Sequence, residues 1–315
     1  MNWNPPSLTS LETFLLILLG FGMPVFPTQA AVSLLQDAEF GAGFNSLNFE
    51  LDYTSLLEKD VGFYFAQGNL SAGGSQSKSE DTTTGTVTTY RSQAFAGGIG
   101  FGYSSAWNLD FSGYSSKTPE TTYAQVGSNL DLSFSHLFMT TSPDSDFAPR
   151  LTLGVGHGRA NIEQNLSFKI LNFSVHRNVE LDQRKTSAYL SYTPLQWLKI
   201  KLAGTRYLYS RSKADLQTAF RNRFLNYYTS DLVSTIGGLP ENAASLKVTF
   251  YLSPSWDLEV MAANTHFIVD DSTSRRTHLI ISRTWEAWLT GIGISKYETF
   301  QDQDTSILFN LAYDF

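Results

Sequence analysis

The 315-residue sequence has no cysteine, few charges and no long apolar run after residue 23. Without cysteine, neither a disulfide framework nor a thiolate metal site can form, although this does not fix the compartment. Charged residues make up 16% of the chain, against about 25% in an ordinary soluble domain. The missing apolar runs exclude a bundle of membrane-spanning helices. A net charge of −7 provides no basic footprint, so we expect no nucleic-acid partner.

The N-terminus carries one short apolar segment, Leu11–Met23, which is too short to span a bilayer. Two prolines interrupt it, and small residues stand at positions −3 and −1 of a cut after Ala30. This pattern resembles a secretory signal peptide; the alternative is a buried N-terminal helix. Glu12 and the absence of Lys or Arg before the apolar core depart from the pattern, which leaves the start site open. We expect a signal peptide over residues 1–30 and one domain over residues 31–315.

Beyond this segment, apolar and polar residues alternate with a period of two. Leu246, Val248 and Phe250, for example, alternate with Lys247 and Thr249. Successive side chains of a strand point to opposite faces, so each segment has one apolar face and one face of small or polar residues. A soluble β-sandwich would also alternate. The glycine runs and charges on the polar faces favour the lumen of a barrel instead.

The tryptophans after residue 30 all lie beside short turns. They are Trp107, Trp197, Trp256, Trp285 and Trp288. Long polar segments alternate with these turns, at residues 71–89, 115–122, 171–177, 210–244, 269–276 and 298–304. If the short turns face one side, the tryptophans form a ring at one membrane interface, as an aromatic girdle does.

The chain ends in ILFNLAYDF, with apolar residues at every second position. These residues include Phe309, Leu311, Tyr313 and Phe315. A sheet can cross lipid only if it closes, because every backbone N–H and C=O group must be paired there. The tail resembles the C-terminal assembly signal of bacterial outer-membrane β-barrels. That resemblance implies an all-β, porin-like transmembrane barrel in the outer membrane of a Gram-negative cell, and it identifies no subfamily. It also implies outer-membrane lipid, the barrel assembly machinery and periplasmic chaperones as partners.

Thirteen strands can be read backward from the C-terminus to residue 46. Bacterial single-chain barrels use even numbers of strands. Residues 38–44 can supply a fourteenth strand, joined by a tight turn at Asn45 and Ser46, because both residue types suit such turns. We therefore expect an antiparallel barrel of about fourteen strands. The alternative is a barrel of twelve strands, with residues 38–54 partly inside it. Residues 157–183 are expected to extend one hairpin beyond the membrane.

Over residues 212–238 the spacing of the apolar residues changes from every second position to every third or fourth position. Ser212 or Asp215 can cap the start of a helix there, and two glycines can end it. The sequence therefore predicts one amphipathic helix in an outer loop. Such a helix could narrow the pore with Arg221 and Arg223 facing the aqueous path, or it could pack on the rim.

Five charged residues stand at the polar positions of their alternating segments, near the predicted tryptophan ring. They are Lys199, Lys201, Lys247, Asp257 and Glu259. Rings of opposed charge set ion selectivity in pores. An inward salt-bridge network that only fills the interior would use the same residues. We expect both readings to place these side chains in the lumen.

The sequence offers one cluster for catalysis, formed by His266, Asp270 and Asp271. Acid–base chemistry needs these groups within reach of one another, and proximity in a loop does not establish that. The histidines show no metal-binding spacing such as H-E-x-x-H, and we expect no cofactor. The favoured function is a passive channel for small hydrophilic solutes or ions. The alternatives are a plugged structural or surface-interaction barrel and, less favoured, a hydrolase at the rim. Whether the chain is a monomer or a trimer is left open.

Overall fold

The structure, a computed structural model, describes residues 29–41, 44–59, 62–80, 87–103, 106–118, 123–138, 147–170, 173–213, 216, 239–269, 271–299 and 303–314. Fourteen strands form one closed barrel in this part of the chain. They are β1 Gln29–Gly41, β2 Phe44–Lys59, β3 Gly62–Glu80, β4 Val87–Tyr103, β5 Trp107–Thr118, β6 Tyr123–Leu137, β7 Arg150–Ile170, β8 Phe173–Leu195, β9 Leu198–Tyr209, β10 Pro240–Ser253, β11 Trp256–Phe267, β12 Thr273–Trp285, β13 Trp288–Glu298 and β14 Gln303–Asp314. Among these residues no helix is long and apolar enough to cross a membrane.

Each strand pairs antiparallel with its chain neighbours, and β1 pairs with β14 to close the cylinder. At this seam Phe40 faces Ile307 and Ser33 faces Asp314. The closed sheet confirms the predicted all-β class and the count of fourteen. The alternative of twelve strands is wrong, because residues 29–41 are a full strand that pairs on both sides.

The predicted turn at Asn45 and Ser46 is wrong. Both residues belong to β2, where they face Phe40 and Glu39 of β1. The connection between β1 and β2 therefore comes before Phe44, and residues 42 and 43 lie outside the described residues.

Most of the predicted polar loops are shorter than expected, because the strands continue through them. Residues 71–80 belong to β3, and β5 continues to Thr118. The hairpin of β7 and β8 pairs as far as Ile170 and Phe173. That residues 157–183 extend beyond the membrane stays a prediction. Outside lipid a strand needs no apolar face, since water solvates both sides. Polar composition alone therefore does not mark the end of a strand.

The two faces of the sheet differ as the alternation predicts. Large apolar side chains such as Phe111, Val155 and Ile294 are exposed on the outer face, at 52, 59 and 56% of their full area. The inner face carries many small residues. A Cβ on Gly100 would lie 2.1 Å from Asp110 Oδ1. The missing side chain lets Gln67 Nε2 of β3 donate across β4 to Asp110 Oδ1 of β5, at 2.6 Å.

Only the first turn of the predicted amphipathic helix is described. The Leu216 amide donates to the Ser212 carbonyl at 3.0 Å, which is the spacing of an α-helical turn. Leu216 is fully buried. Residues 217–238 lie outside the described part of the chain.

Candidate channel interior

The barrel encloses a polar cavity of about 540 Å³ that reaches from one wall to the opposite wall. Residues from β10 to β12, from β14 and from β1 to β4 line it. β3 and β10 lie opposite each other, because six strands lie between them in either direction around the fourteen-stranded cylinder. Charged lining residues include Asp37, Glu39, Lys247, Glu259 and Arg276. The interior is thus a charged cavity and not an apolar core.

A hydrogen-bonded network crosses the seam on the inner face. Arg276 Nη2 of β12 donates to Glu39 Oε2 of β1 at 2.5 Å. Its Nε donates to Ser295 Oγ of β13 at 3.3 Å, and Ser306 Oγ of β14 donates to Glu39 Oε1. Glu39 is 7% exposed and Ser295 is fully buried. Side-chain hydrogen bonds therefore link β12, β13, β14 and β1, the strands around the seam that backbone hydrogen bonds already hold together.

A second network lies beside it on β10, β11 and β12. Lys247 Nζ is 2.5 Å from Glu259 Oε2, and His278 Nε2 is 3.0 Å from Glu259 Oε1. All three residues line the central cavity. Sequence reasoning missed His278, because its partner is on the neighbouring strand and not near it in the sequence.

The other sequence-predicted charges lie on the same inner face. Lys201 faces Lys247 and Lys199 faces Thr249 in the register of β9 and β10. Among described residues neither Lys199 nor Lys201 has an ion pair, although Lys201 Nζ lies 4.7 Å from the centre of the Tyr189 ring. Asp257 accepts a hydrogen bond from Ser282. This wall therefore combines a neutralised network with two lysines that have no counter-charge.

The sequence analysis missed the acidic residues on the wall opposite β8 and β9. Asp37 lies on β1, and Glu50 and Asp52 lie on β2. Asn69 Nδ2 donates to Glu50 Oε1 at 3.1 Å. Six strands lie between β1 and β8 in either direction, and likewise between β2 and β9, so each pair is opposite in the barrel. The sequence signal for Glu50 and Asp52 is the alternation, because each stands between two apolar residues of β2, whereas Asp37 follows Gln36 and has no such signal.

Basic residues fill a continuous arc of the interior on β7 to β10. Besides the three lysines already described, Arg150 of β7 and Lys185 of β8 belong to it. Lys201, Lys247 and Arg150 are the cationic neighbours of Lys199. Lys185 Nζ lies 5.5 Å from the centre of the Tyr114 ring. A basic arc and an acidic arc thus face each other across the cylinder.

The five tryptophans lie at one end of the barrel. Each stands at a strand end beside one of four short turns, and each is 40 to 50% exposed. The Arg283 guanidinium lies 5.3 Å from the Trp256 ring and 4.9 Å from the Trp285 ring. Trp288 and Tyr313 pack with ring centroids 4.5 Å apart. The same end holds the C-terminal end of β14.

The predicted catalytic cluster lies at the opposite rim, beside the turn between β11 and β12. His266 Nε2 is 3.7 Å from Asp271 Oδ1 and 3.4 Å from Glu241 Oε2. The ligand atoms of these three residues lie within 4.8 Å of one another, which is close enough to hold a metal ion. However, Lys213 Nζ lies 2.6 Å from Asp271 Oδ1 and 3.3 Å from Glu241 Oε2. The lysine ammonium thus offsets one of the two carboxylate charges and contacts both groups, and the geometry favours an ion-pair cluster over a general base.

Four predicted residues lie outside the described part of the chain. They are Arg221, Arg223, Asp270 and Phe315. The other residues of the predicted assembly signal, Phe309, Leu311 and Tyr313, share the outer face of β14.

Comparison with known proteins gives resemblance in fold only. No protein-family model matches the chain, and no curated protein matches its sequence. Among solved structures, the outer membrane protein OprD from Pseudomonas aeruginosa is 12% identical with a TM-score of 0.41, over 93% of this chain and 96% of OprD. The toluene transporter TodX from Pseudomonas putida is 10% identical with a TM-score of 0.46, over 91% of this chain and 89% of TodX. OccAB1 from Acinetobacter baumannii is 8% identical with a TM-score of 0.45, over 91% of this chain and 96% of OccAB1.

Proposed function

We propose that this chain is a passive channel for small hydrophilic solutes or ions in a bacterial outer membrane. The observation that supports it best is the charged cavity of about 540 Å³ between opposite walls of a closed barrel. An interior that only supported the fold would be filled by side chains, as in small barrels. Polar surface on the inside and apolar surface on the outside suit a water-filled cylinder in hydrocarbon.

Selectivity in this proposal comes from the two arcs of charge. The unpaired Lys199 and Lys201 attract anions to one wall, while Asp37 and Asp52 attract cations to the opposite wall. Rings of charged side chains select ions in pores by this kind of electrostatic attraction. The paired Lys247, whose charge Glu259 offsets at 2.5 Å, contributes less. Arg221 and Arg223 would add to the basic side if the predicted helix enters the mouth.

The remaining partners follow from the proposed location. Residues 1–30 would direct export, and the tail ending in Phe315 would be read by the barrel assembly machinery after transport by periplasmic chaperones. The tryptophan ring would sit in the lipid headgroup layer of the periplasmic interface, where such amphipathic rings prefer to be. No catalytic step is part of the proposal.

Conductance of the purified protein in a planar lipid bilayer tests the function. A stable current with a reversal potential set by the salt gradient is the expected result. Protein that shifts on a gel when heated, and so is a folded barrel, yet carries no current would overturn the channel and favour a plugged structural barrel. A hydrolytic activity lost in Asp271→Asn would instead support the rim hydrolase.

A further inference from the structure

Three arginines form a patch on the outer face of the barrel, and the proposed channel does not use them. Arg159 of β7 and Arg184 of β8 stand directly opposite each other in register. Arg206 of β9 faces Thr186, two residues from Arg184 on the same face, so it lies diagonal to Arg184. All three are exposed. They share the face of Leu153 and Val155, which are 48 and 59% exposed, and therefore point away from the lumen.

The patch lies near the far edge of the apolar outer band, of which the exposed Leu208, which faces Arg184, is still a part. Arg159 comes nine residues after Arg150, the start of β7, and Arg206 comes eight residues after Leu198, the start of β9. With a rise of about 3.3 Å per residue and a strand tilt of about 40°, both lie roughly 20–25 Å above the tryptophan end, and a lipid-facing band is about 25 Å tall. The arginines therefore meet the headgroups of the leaflet farther from the tryptophans.

The three guanidinium groups have no counter-charge within ion-pair distance among the described residues. None of them has an ion pair or a side-chain hydrogen bond with another described residue. Like charges directly opposite each other on paired strands are destabilising, so the pair of Arg159 and Arg184 costs stability unless an anion lies between them.

Three other outward cations of the barrel, Lys296, Arg275 and Arg283, have partners within the protein. Lys296 Nζ is 2.5 Å from Glu298 Oε1, and Arg275 faces Glu298 in register. At the opposite end Arg283 lies over two tryptophan rings. The cluster on β7 to β9 thus differs from these three cations, because the described residues provide no partner for it.

Carboxylates do occur farther out on the same strands. Asp182, which faces Asn161, lies two residues beyond Arg184 on the same face, without an ion pair to it. Glu163 and Glu180 face each other two residues farther still. These acids stand above the lipid edge. They leave the row of arginines open toward the side from which a headgroup would approach.

We propose that Arg159, Arg184 and Arg206 bind the phosphate groups of an outer-leaflet glycolipid of the lipid A type. Guanidinium groups bind phosphate with two parallel hydrogen bonds each, and this planar geometry is the reason arginine is preferred at phosphate sites. A lipid supplies both parts of the complementarity, because its acyl chains cover the apolar band while its phosphates reach the arginines. The proposal rests on the outer-membrane location, and it does not depend on the channel.

Native mass spectrometry of the detergent-solubilised barrel, titrated with lipid A, tests the proposal. The test variant carries Arg159→Gln, Arg184→Gln and Arg206→Gln. The matched control carries Lys117→Gln, Arg275→Gln and Lys296→Gln, which remove three outward cations elsewhere. EDTA is present, so that no divalent cation bridges phosphate to Asp182. We expect lipid A binding to weaken at least tenfold in the test variant and to stay within twofold of the wild type in the control.

Two further arms identify the ligand. Dephosphorylated lipid A should bind the wild type and the test variant equally weakly, and millimolar inorganic phosphate should not displace lipid A. Equal lipid A binding by the wild type and the test variant would overturn the proposal. So would efficient displacement by inorganic phosphate, which would indicate a site for soluble anions. Conductance of the test variant should equal that of the wild type, so failure of the lipid site and failure of the channel remain distinguishable.

Discussion

Charged residues differ in their pairing between two parts of the interior: the seam, where β1 pairs with β14, and the inner face of β9. At the seam, Glu39 and Arg276 form a short ion pair supported by two serines, and the carboxylate is 7% exposed. On β9, Lys199 and Lys201 have no ion pair in the described part of the chain and are exposed to the cavity side. A charge enclosed by partners holds strands together, whereas a charge left unpaired projects its field into the lumen.

From this contrast we expect the paired charges at the seam to contribute to stability and the lysines of β9 to contribute to ion selectivity. Removing one partner of a buried pair leaves a desolvated group without compensation, which is costly. Removing an unpaired, water-exposed lysine leaves no such group behind. Substitutions on the two walls should therefore separate the two properties.

The largest expected effect is on stability, from Glu39→Gln. The amide keeps the size of the carboxylate but loses the charge-assisted bonds to Arg276 and Ser306, at a cost of about 2 kcal/mol. The temperature at which the barrel changes its migration on a gel should fall. Glu50→Gln is the matched control, because Glu50 accepts only the bond from Asn69 among the contacts described here. If the gel-shift temperature fell equally in both variants, the ion pair of Glu39 and Arg276 would contribute no more to stability than the single hydrogen bond of Glu50.

The next effect is on selectivity, from the double substitution Lys199→Glu and Lys201→Glu. Each unit charge at about 4 Å in water changes an ion's energy by about 1 kcal/mol. The double substitution changes the charge of the wall by four units, so the permeability ratio should move toward cations by at least about tenfold, which corresponds to about 1.4 kcal/mol, measured as a reversal potential in a salt gradient. The gel-shift temperature should stay close to that of the wild type. An unchanged reversal potential would remove these lysines from the selectivity mechanism.

The smallest effect is expected at the rim, from Lys213→Gln. The hydrogen bond to Asp271, followed by the one to Glu241, raises the pKa of Lys213 above its ordinary value. A raised lysine pKa means that the attraction is present below the ordinary value of 10.5 and is lost as the pH rises through the folded value. At neutral pH the exposed pair adds little, so the gel-shift temperature and the conductance should not change. A clear loss of either would give the rim cluster a role that its exposure does not suggest.

Much of the fold could be predicted from the sequence, because lipid imposes a simple rule. One face of every membrane strand must be apolar, and residues such as Leu246, Val248 and Phe250 show this without any structure. The strand ends could not be predicted in the same way. Beyond the lipid neither face is constrained, so β3 runs through the serine-rich residues 71–80 with no change in pattern.

The alternation of apolar and polar residues predicts which charged side chains face the interior, but it does not predict their ion-pair partners. Lys247 and Glu259 share a parity, yet their 2.5 Å contact depends on the register between two strands. The same holds for Glu39 and Arg276, which lie 237 residues apart in the chain. Register is set by the whole closed sheet, so a single strand does not contain the information.

The pairing of β1 with β14 also governs what happens to incomplete chains. A polypeptide released early from the ribosome lacks β14, so the free edges of β1 and the last strand it does contain have no matching partner. Unpaired edges are excluded from hydrocarbon and invite aggregation in water. Completing the synthesis of β14 is thus the condition for a sheet without free edges.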